Sequence, residues 1–285
     1  MNTIETTILS IVIMIGLGYI LKKIDFLSDK DIDSLNKIVI NLLLPCMIFS
    51  ALYSADLSLL PKLSILTVLI LISSFITGIT SYLILKKLNF DDRKIWSVLI
   101  TIMIANTAFM GYPVNLGIYG SEGLLRAIFC DIATTCIFII LSFALALKFG
   151  GSIKTAIRKI IVFPPLWAII LGLIFNLLLL PIGGVLEKTI DYLAGGTIPL
   201  IMLSLGISID LSGFYRSKFM VLFTTIMKLI IFPIIAIFLA KFFGLVDLQY
   251  NVGIIEAAMP SGMLSLVLAI TLVRSEERRV GKECR

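Results

Sequence analysis

The sequence predicts an all-α polytopic membrane protein: a 5+5 inverted repeat with broken helices four and nine, and with the tenth helix missing. Three observations predict it. First, 59% of the 285 residues are hydrophobic, 15% are charged, and mean hydropathy is +1.09. Soluble domains sit near about 45–50% apolar and about 25% charged. A soluble enzyme could not cover that apolar surface, and disorder needs the opposite composition. Second, apolar runs of membrane-spanning length recur along the chain. Third, the two halves match at one constant offset.

The runs lie near 4–21, 36–55, 63–85, 95–118, 124–147, 161–180, 190–209, 219–243 and 250–273. That makes nine spans. The first follows Met-Asn-Thr with no cationic leader and no small-residue cleavage site, so it reads as a retained helix. Lys and Arg set the orientation. Loops one, three, five and seven hold 14 of them, and the other loops hold Lys62, Arg126, Lys188 and Lys241. Odd loops are therefore expected in the cytoplasm and the N-terminus outside. The basic balance reports this asymmetry, not nucleic-acid binding.

A shift of 154 residues places Pro45 on Pro199, Ser50 on Ser204, Ser54 on Ser208, Asp56-Leu57 on Asp210-Leu211 and Gly18 on Gly172. The repeat unit has five spans, an odd number, so the two copies enter the membrane from opposite sides. Inverted repeats mark alternating-access transporters. The expected division is a first repeat over 1–150, a second, four-helix repeat over 151–273, and a non-native tail over 274–285. That tail, RSEERRVGKECR, is charged at eight of twelve positions. It reads either as a basic cytoplasmic tail or as a translated sequencing adapter standing where span ten should begin. Without it the net charge is +4, from 19 basic and 15 acidic residues, rather than +6.

Spans four and nine are interrupted at corresponding places. Span four carries Asn106, Thr107, Gly111, Tyr112 and Pro113; span nine carries Glu256, Pro260, Ser261 and Gly262. Proline removes a helix hydrogen bond and clashes with the preceding turn. Irregular backbone survives in a membrane only where protein or a wet cavity shelters it. Paired interruptions point to a substrate site at the midplane, and half-helix N-termini suit an anion. Each proline alone also reads as a packing kink, as Pro45 and Pro199 do. Gly195-Gly196 is expected to allow close helix approach. Asn41, one turn before Pro45, adds an amide facing the same region.

Asp131, Lys228 and Glu256 lie within spans, where charge is costly. Glu256 adjoins the span-nine break and is a candidate proton or cation ligand. Asp131 is either another or an interfacial side chain. Lys228 either snorkels to the inner interface, pairs with an acid or attracts an anionic substrate. The chain has no histidine, and its four cysteines form no CxxC pair. No metal site, cofactor or catalytic constellation is expected, and no Walker motif is present.

The segments NLLLPCMIFSAL, ANTAFMGYPVNLGIYG, GGTIPLIMLSLGISI and EAAMPSGMLSLVLA resemble the auxin efflux carrier family in its bacterial, malonate-permease-like branch. The resemblance covers about residues 5–273. It implies a ten-helix fold similar to bile-acid-symporter-like transporters. Spans 1, 2, 6 and 7 would form a scaffold domain, and spans 3–5 and 8–10 a transport domain crossing at Pro113 and Pro260. It implies an organic-anion substrate and makes Asn106 a carboxylate contact. The function expected is secondary active transport of a mono- or dicarboxylate across the bacterial cytoplasmic membrane. The coupling ion, proton or sodium, and a homodimeric state are left open. A sodium-coupled symporter of the related fold and a non-transporting membrane sensor are the competing readings.

Overall fold

The computed structural model describes residues 3–149, 153–209, 218–266 and 268–269. Asp210, Arg216 and the tail 274–285 lie outside the described residues. Each of the nine apolar runs contains helix. In order these are α1 (Thr3–Lys23), α2 (Asp29–Ile38) with α3 (Leu44–Tyr53), α4 (Leu60–Lys87), α5 (Asp92–Met103), α6 (Tyr112–Lys148), α7 (Ile153–Ile161), α8 (Pro164–Leu177), α9 (Gly184–Ile207), α10 (Lys218–Ile226) with α11 (Phe232–Phe242), and α12 (Asp247–Ala257). No named strand occurs among the described residues. Six helical stretches are long and apolar enough to cross a membrane. The protein is an all-α polytopic membrane protein.

Apolar side chains cover the outside of the helices as well as their core. On α1, Ile4, Ile8, Val12 and Ile20 face outward, half exposed or more, while Gly18 is buried. On α4 the buried face includes Ser73, Ser74, Thr77 and Ser81 beside Leu66, Leu69 and Ile70, and the outward face holds Val68, Phe75, Ile79 and Leu83. Apolar residues facing outward, with small hydroxyls packed among the buried side chains, are what lipid as a solvent selects.

Two features depart from the expected spans. Loop five holds α7, a short helix with exposed Ile153, Ile157 and Ile161 on one stripe. Runs four and five are joined: the helix is continuous over Thr107–Lys148 except at Gly120, where φ is +64°. That left-handed backbone favours glycine. The 42-residue stretch is about twice the length that crosses a bilayer, so the kink is needed to divide it.

Prolines shape three spans in the same way. A five-residue π turn covers Val39–Leu43, Thr107–Gly111 and Met227–Ile231, and each turn ends two residues before a proline: Pro45, Pro113 and Pro233. The proline ring would strike the carbonyl four residues back, and it offers that carbonyl no N–H. Widening the turn relieves the clash. Pro199 instead sits inside an unbroken α9.

The chain divides into two compact units, each drawing on both halves of the sequence. Unit one comprises Met1–Lys62, Ala108–Ile128 and Phe163–Gly213; unit two comprises Leu63–Thr107, Phe129–Val162 and Phe214–Arg285. Unit one thus gathers spans 1, 2, 6 and 7 together with residues 108–128.

Within unit one, α1 packs on α9 and α3 packs on α8. The 154-residue shift converts one pair into the other. Gly18 lies against the backbone of Leu203 and Gly206; its counterpart Gly172 lies against Phe49 and Leu52, the counterparts of those two residues. Gly206 meets the backbone of Ile15, Gly18 and Tyr19. The close approach is made at these glycines, not at Gly195-Gly196, which face open space. Thr197 Oγ1 donates to the Leu43 carbonyl at 3.1 Å, joining two positions that are each other's counterpart.

Unit two has an apolar core that includes Leu85, Ile95, Ile100, Ile137 and Leu268. At one end Asp91 caps α5, accepting from the Arg93 and Lys94 N–H groups at 3.1 Å. Asp92 pairs with Lys148 at 2.7 Å and with Lys86 at 3.4 Å, tying α5 to the ends of α6 and α4.

Candidate functional site

Both broken spans contribute to one crossing inside unit two. Helix α5 ends at Met103, and Ile104 turns extended (φ −95°, ψ 107°). Helix α12 ends at Ala257, and helix resumes at residue 263. The two extended segments run antiparallel. Asn106 N–H donates to the Pro260 carbonyl at 2.8 Å, and Gly262 N–H donates to the Ile104 carbonyl at 2.8 Å, with Ala105 facing Ser261 between them. Each break thereby satisfies backbone groups that the other exposes, in a region where lipid offers no partner.

The crossing is sterically tight. A Cβ on Gly262 would lie 2.5 Å from the Ala105 carbonyl oxygen and 3.0 Å from its carbon. Ala105, Asn106 and Thr107 are all buried. The Asn106 carboxamide makes no hydrogen bond among the described residues.

Polar groups gather beside the crossing. Thr107 Oγ1 donates to Asp131 Oδ1, which fixes the first residue of the helix beyond the break against α6. Asp131 is 7% exposed and Glu256 0%. Both lie within electrostatic reach of the fully buried Cys130. Glu256 also acts on Lys228. Lys228 is 1% exposed, so it is buried and does not snorkel to an interface. Its Nζ sits 3.8 Å from the Phe232 ring centroid and has no hydrogen-bond partner among the described residues. Cys46, Cys130 and Cys136 are free thiols.

The sequence-predicted residues therefore fall into two groups. Unit two brings together Asn106, Thr107, Pro260 and Ser261 with Asp131, Glu256 and Lys228. Asn41, Gly111, Tyr112 and Pro113 belong to unit one. The paired backbone runs over Ile104–Asn106 and Pro260–Gly262, whereas Pro113 is the second residue of α6. Tyr112 is fully buried, and Gly111 offers its carbonyl to Asn115 Nδ2 at 2.9 Å. Asn41 is exposed and donates to the Lys37 carbonyl at 2.8 Å. Sequence reasoning missed Ile104 and Ala105, which carry no polar side chain to flag them. It also missed Phe232, although its four-residue spacing from Lys228 puts both on one helix face.

The membrane transport protein family model matches residues 3–272, almost all of the described chain. The chain belongs to this family, as the auxin efflux carrier resemblance anticipated. An uncharacterized transporter of Methanothermobacter thermautotrophicus is 39% identical over 264 residues, covering 93% of this chain and 87% of that protein. An uncharacterized transporter of Methanocaldococcus jannaschii is 33% identical over 267 residues, covering 92% and 87% respectively. The family and both relatives make this a multi-pass membrane transporter.

Proposed function

We propose that this transporter is a secondary active carrier that moves a small organic anion, a mono- or dicarboxylate, by alternating access. The single observation that carries this reading is the crossing of the two broken helices. It leaves the buried Asn106 carboxamide without a hydrogen bond among the described residues, at the start of the helix that resumes at Thr107. Helix N-termini present unpaired N–H groups and positive dipole ends, and a carboxylate complements both. In this reading Asn106 and Ser261 contact the substrate, while Glu256, Asp131 and Lys228 handle the coupling charge.

Unit two then carries substrate and unit one serves as scaffold. The 154-residue relation between the α1–α9 and α3–α8 contacts supports an inverted repeat. The positive-inside rule supports a cytoplasmic-membrane location with the N-terminus outside.

The test is flux in proteoliposomes across a panel of mono- and dicarboxylates. Asn106→Ala removes a hydrogen bond to a charged ligand, and flux at limiting substrate should fall about ten- to a hundredfold. Pro260→Ala should also impair flux, with membrane insertion intact for both variants. Unchanged transport in both refutes the site. No flux of any panel member by folded wild-type protein refutes organic-anion transport and favours the sensor reading.

A further inference from the structure

Helix α7 is nine residues long and reads IKTAIRKII. Helical spacing sets Ile153, Ile157, Ile160 and Ile161 along one stripe, with Lys154 and Arg158 beside it. Ile153 and Ile157 are 43% and 42% exposed, and Lys154 and Arg158 are exposed as well. Such a helix does not hold itself together. Isolated helices shorter than about 12–15 residues are marginal in water even when built from the best helix formers. Here Ile153, Thr155, Ile157, Ile160 and Ile161 are β-branched, and each loses rotamer freedom in a helix. Stability has to come from whatever covers the isoleucine stripe.

Position and charge identify that cover. The chain leaves α6 at Lys148 and enters the apolar α8 at Pro164, so α7 is tethered to apolar helices at both ends. Fully extended, the link from Lys148 to Ile153 reaches about 18 Å at most. The end of α6 carries the marks of a membrane boundary: Lys148 Nζ lies 5.5 Å from the Trp96 ring centroid. Tryptophan gathers at the headgroup level, and lysine near a helix end extends its charge into it.

No acidic residue occurs between Asp131 and Glu187, a stretch that holds Lys148, Lys154, Arg158 and Lys159. Lys148 is paired with Asp92 at 2.7 Å. Lys154 and Arg158 make no ion pair among the described residues. The other lysine-rich loops are mixed: loop one interleaves Asp25, Asp29, Asp31 and Asp33 with its lysines, and loop three carries Asp91 and Asp92. An apolar stripe flanked by cations, with no acid near it, complements an anionic lipid surface.

We propose that α7 lies in the plane of the membrane, with its isoleucine stripe in the headgroup–acyl boundary and with Lys154 and Arg158 bound to anionic phospholipid headgroups. The inference concerns lipid, not substrate, and stands or falls separately from the proposed function.

The test is amide hydrogen exchange over residues 153–162 in the full chain. The protein is held one copy per nanodisc, in discs of phosphatidylcholine alone and of phosphatidylcholine with phosphatidylglycerol. Exchange should be slower in the anionic discs, by roughly fivefold per cation and about 25-fold for the pair. High salt should shrink that gain. Lys154→Gln/Arg158→Gln should lose most of the gain and keep the protection seen in neutral discs. Ile153→Ser/Ile157→Ser should lose protection in both membranes, while unchanged exchange in α6 reports that the fold is intact. If the serine variant unfolds throughout, the glutamine variant, changed only at exposed positions, still decides. Equal wild-type exchange in the two membranes would overturn the proposal, as would a glutamine variant that keeps the whole gain. Protection that appears only when two copies share a disc would overturn it in favour of a contact between copies.

Discussion

Gly262 is where one added methyl group strikes the crossing itself. Replacing Gly262 with Ala puts a Cβ 2.5 Å from the Ala105 carbonyl oxygen and 3.0 Å from its carbon. Both are backbone atoms, so no side chain can rotate away. The strands must separate by several tenths of an ångström at least. The pair of 2.8 Å hydrogen bonds, Asn106 to Pro260 and Gly262 to Ile104, flanks the point of collision. A buried donor or acceptor left unsatisfied costs about 1–3 kcal/mol, and stretching both bonds therefore costs about 2–6 kcal/mol. Gly195→Ala is the control. It adds the same methyl group in open space within α9 and should stabilise by about 0.5–1 kcal/mol, since alanine is the better helix former. The assay is thermal unfolding of both purified variants in lipid nanodiscs, followed by flux at a temperature where both are folded. Gly262→Ala should lower Tm and transport; Gly195→Ala should lower neither. A Gly262→Ala protein with wild-type Tm and wild-type flux would show that the strand pairing holds neither the fold nor the site.

Two further perturbations probe the rest of the structure. Gly206→Val should destabilise unit one by at least about 1–3 kcal/mol, because the side chain meets backbone of Ile15, Gly18 and Tyr19; an unchanged Tm would refute the α1–α9 contact. At the end of unit two, the hydrogen bond from Lys148 and then the two nearby ammonium charges hold the Asp92 carboxyl below its ordinary 3.8. A carboxyl lowered by folding contributes stability that is full above its unfolded pKa and is lost as pH falls through the folded one. Asp92→Asn should therefore lower Tm near neutral pH and flatten its decline below pH 3.8; parallel wild-type and variant profiles would count against the ion pair.

Much of the architecture was legible from one dimension. Apolar runs must become helices in a membrane, because no other open structure satisfies its own backbone there. Asn106 and Pro260 stood out because a polar amide and a proline inside apolar runs need shelter. The offset between Gly18 and Gly172 was visible as a coincidence of residues, and its meaning as two matched helix contacts came from the fold.

What tertiary structure decided was partnership. Composition located breaks in spans four and nine, yet the residues that pair across them include Ile104 and Ala105, whose side chains advertise nothing. Backbone hydrogen bonding is independent of side-chain identity, so no sequence signal marks which residues will supply it. The same limit applied to Gly195-Gly196, a small-residue pair that faces open space while Gly206 makes the contact. Lys228 admitted an interfacial, a paired and a substrate-binding reading in sequence. Only the packing of α10–α11 beside Glu256 put its charge inside, because burial is a property of neighbours and not of the residue itself.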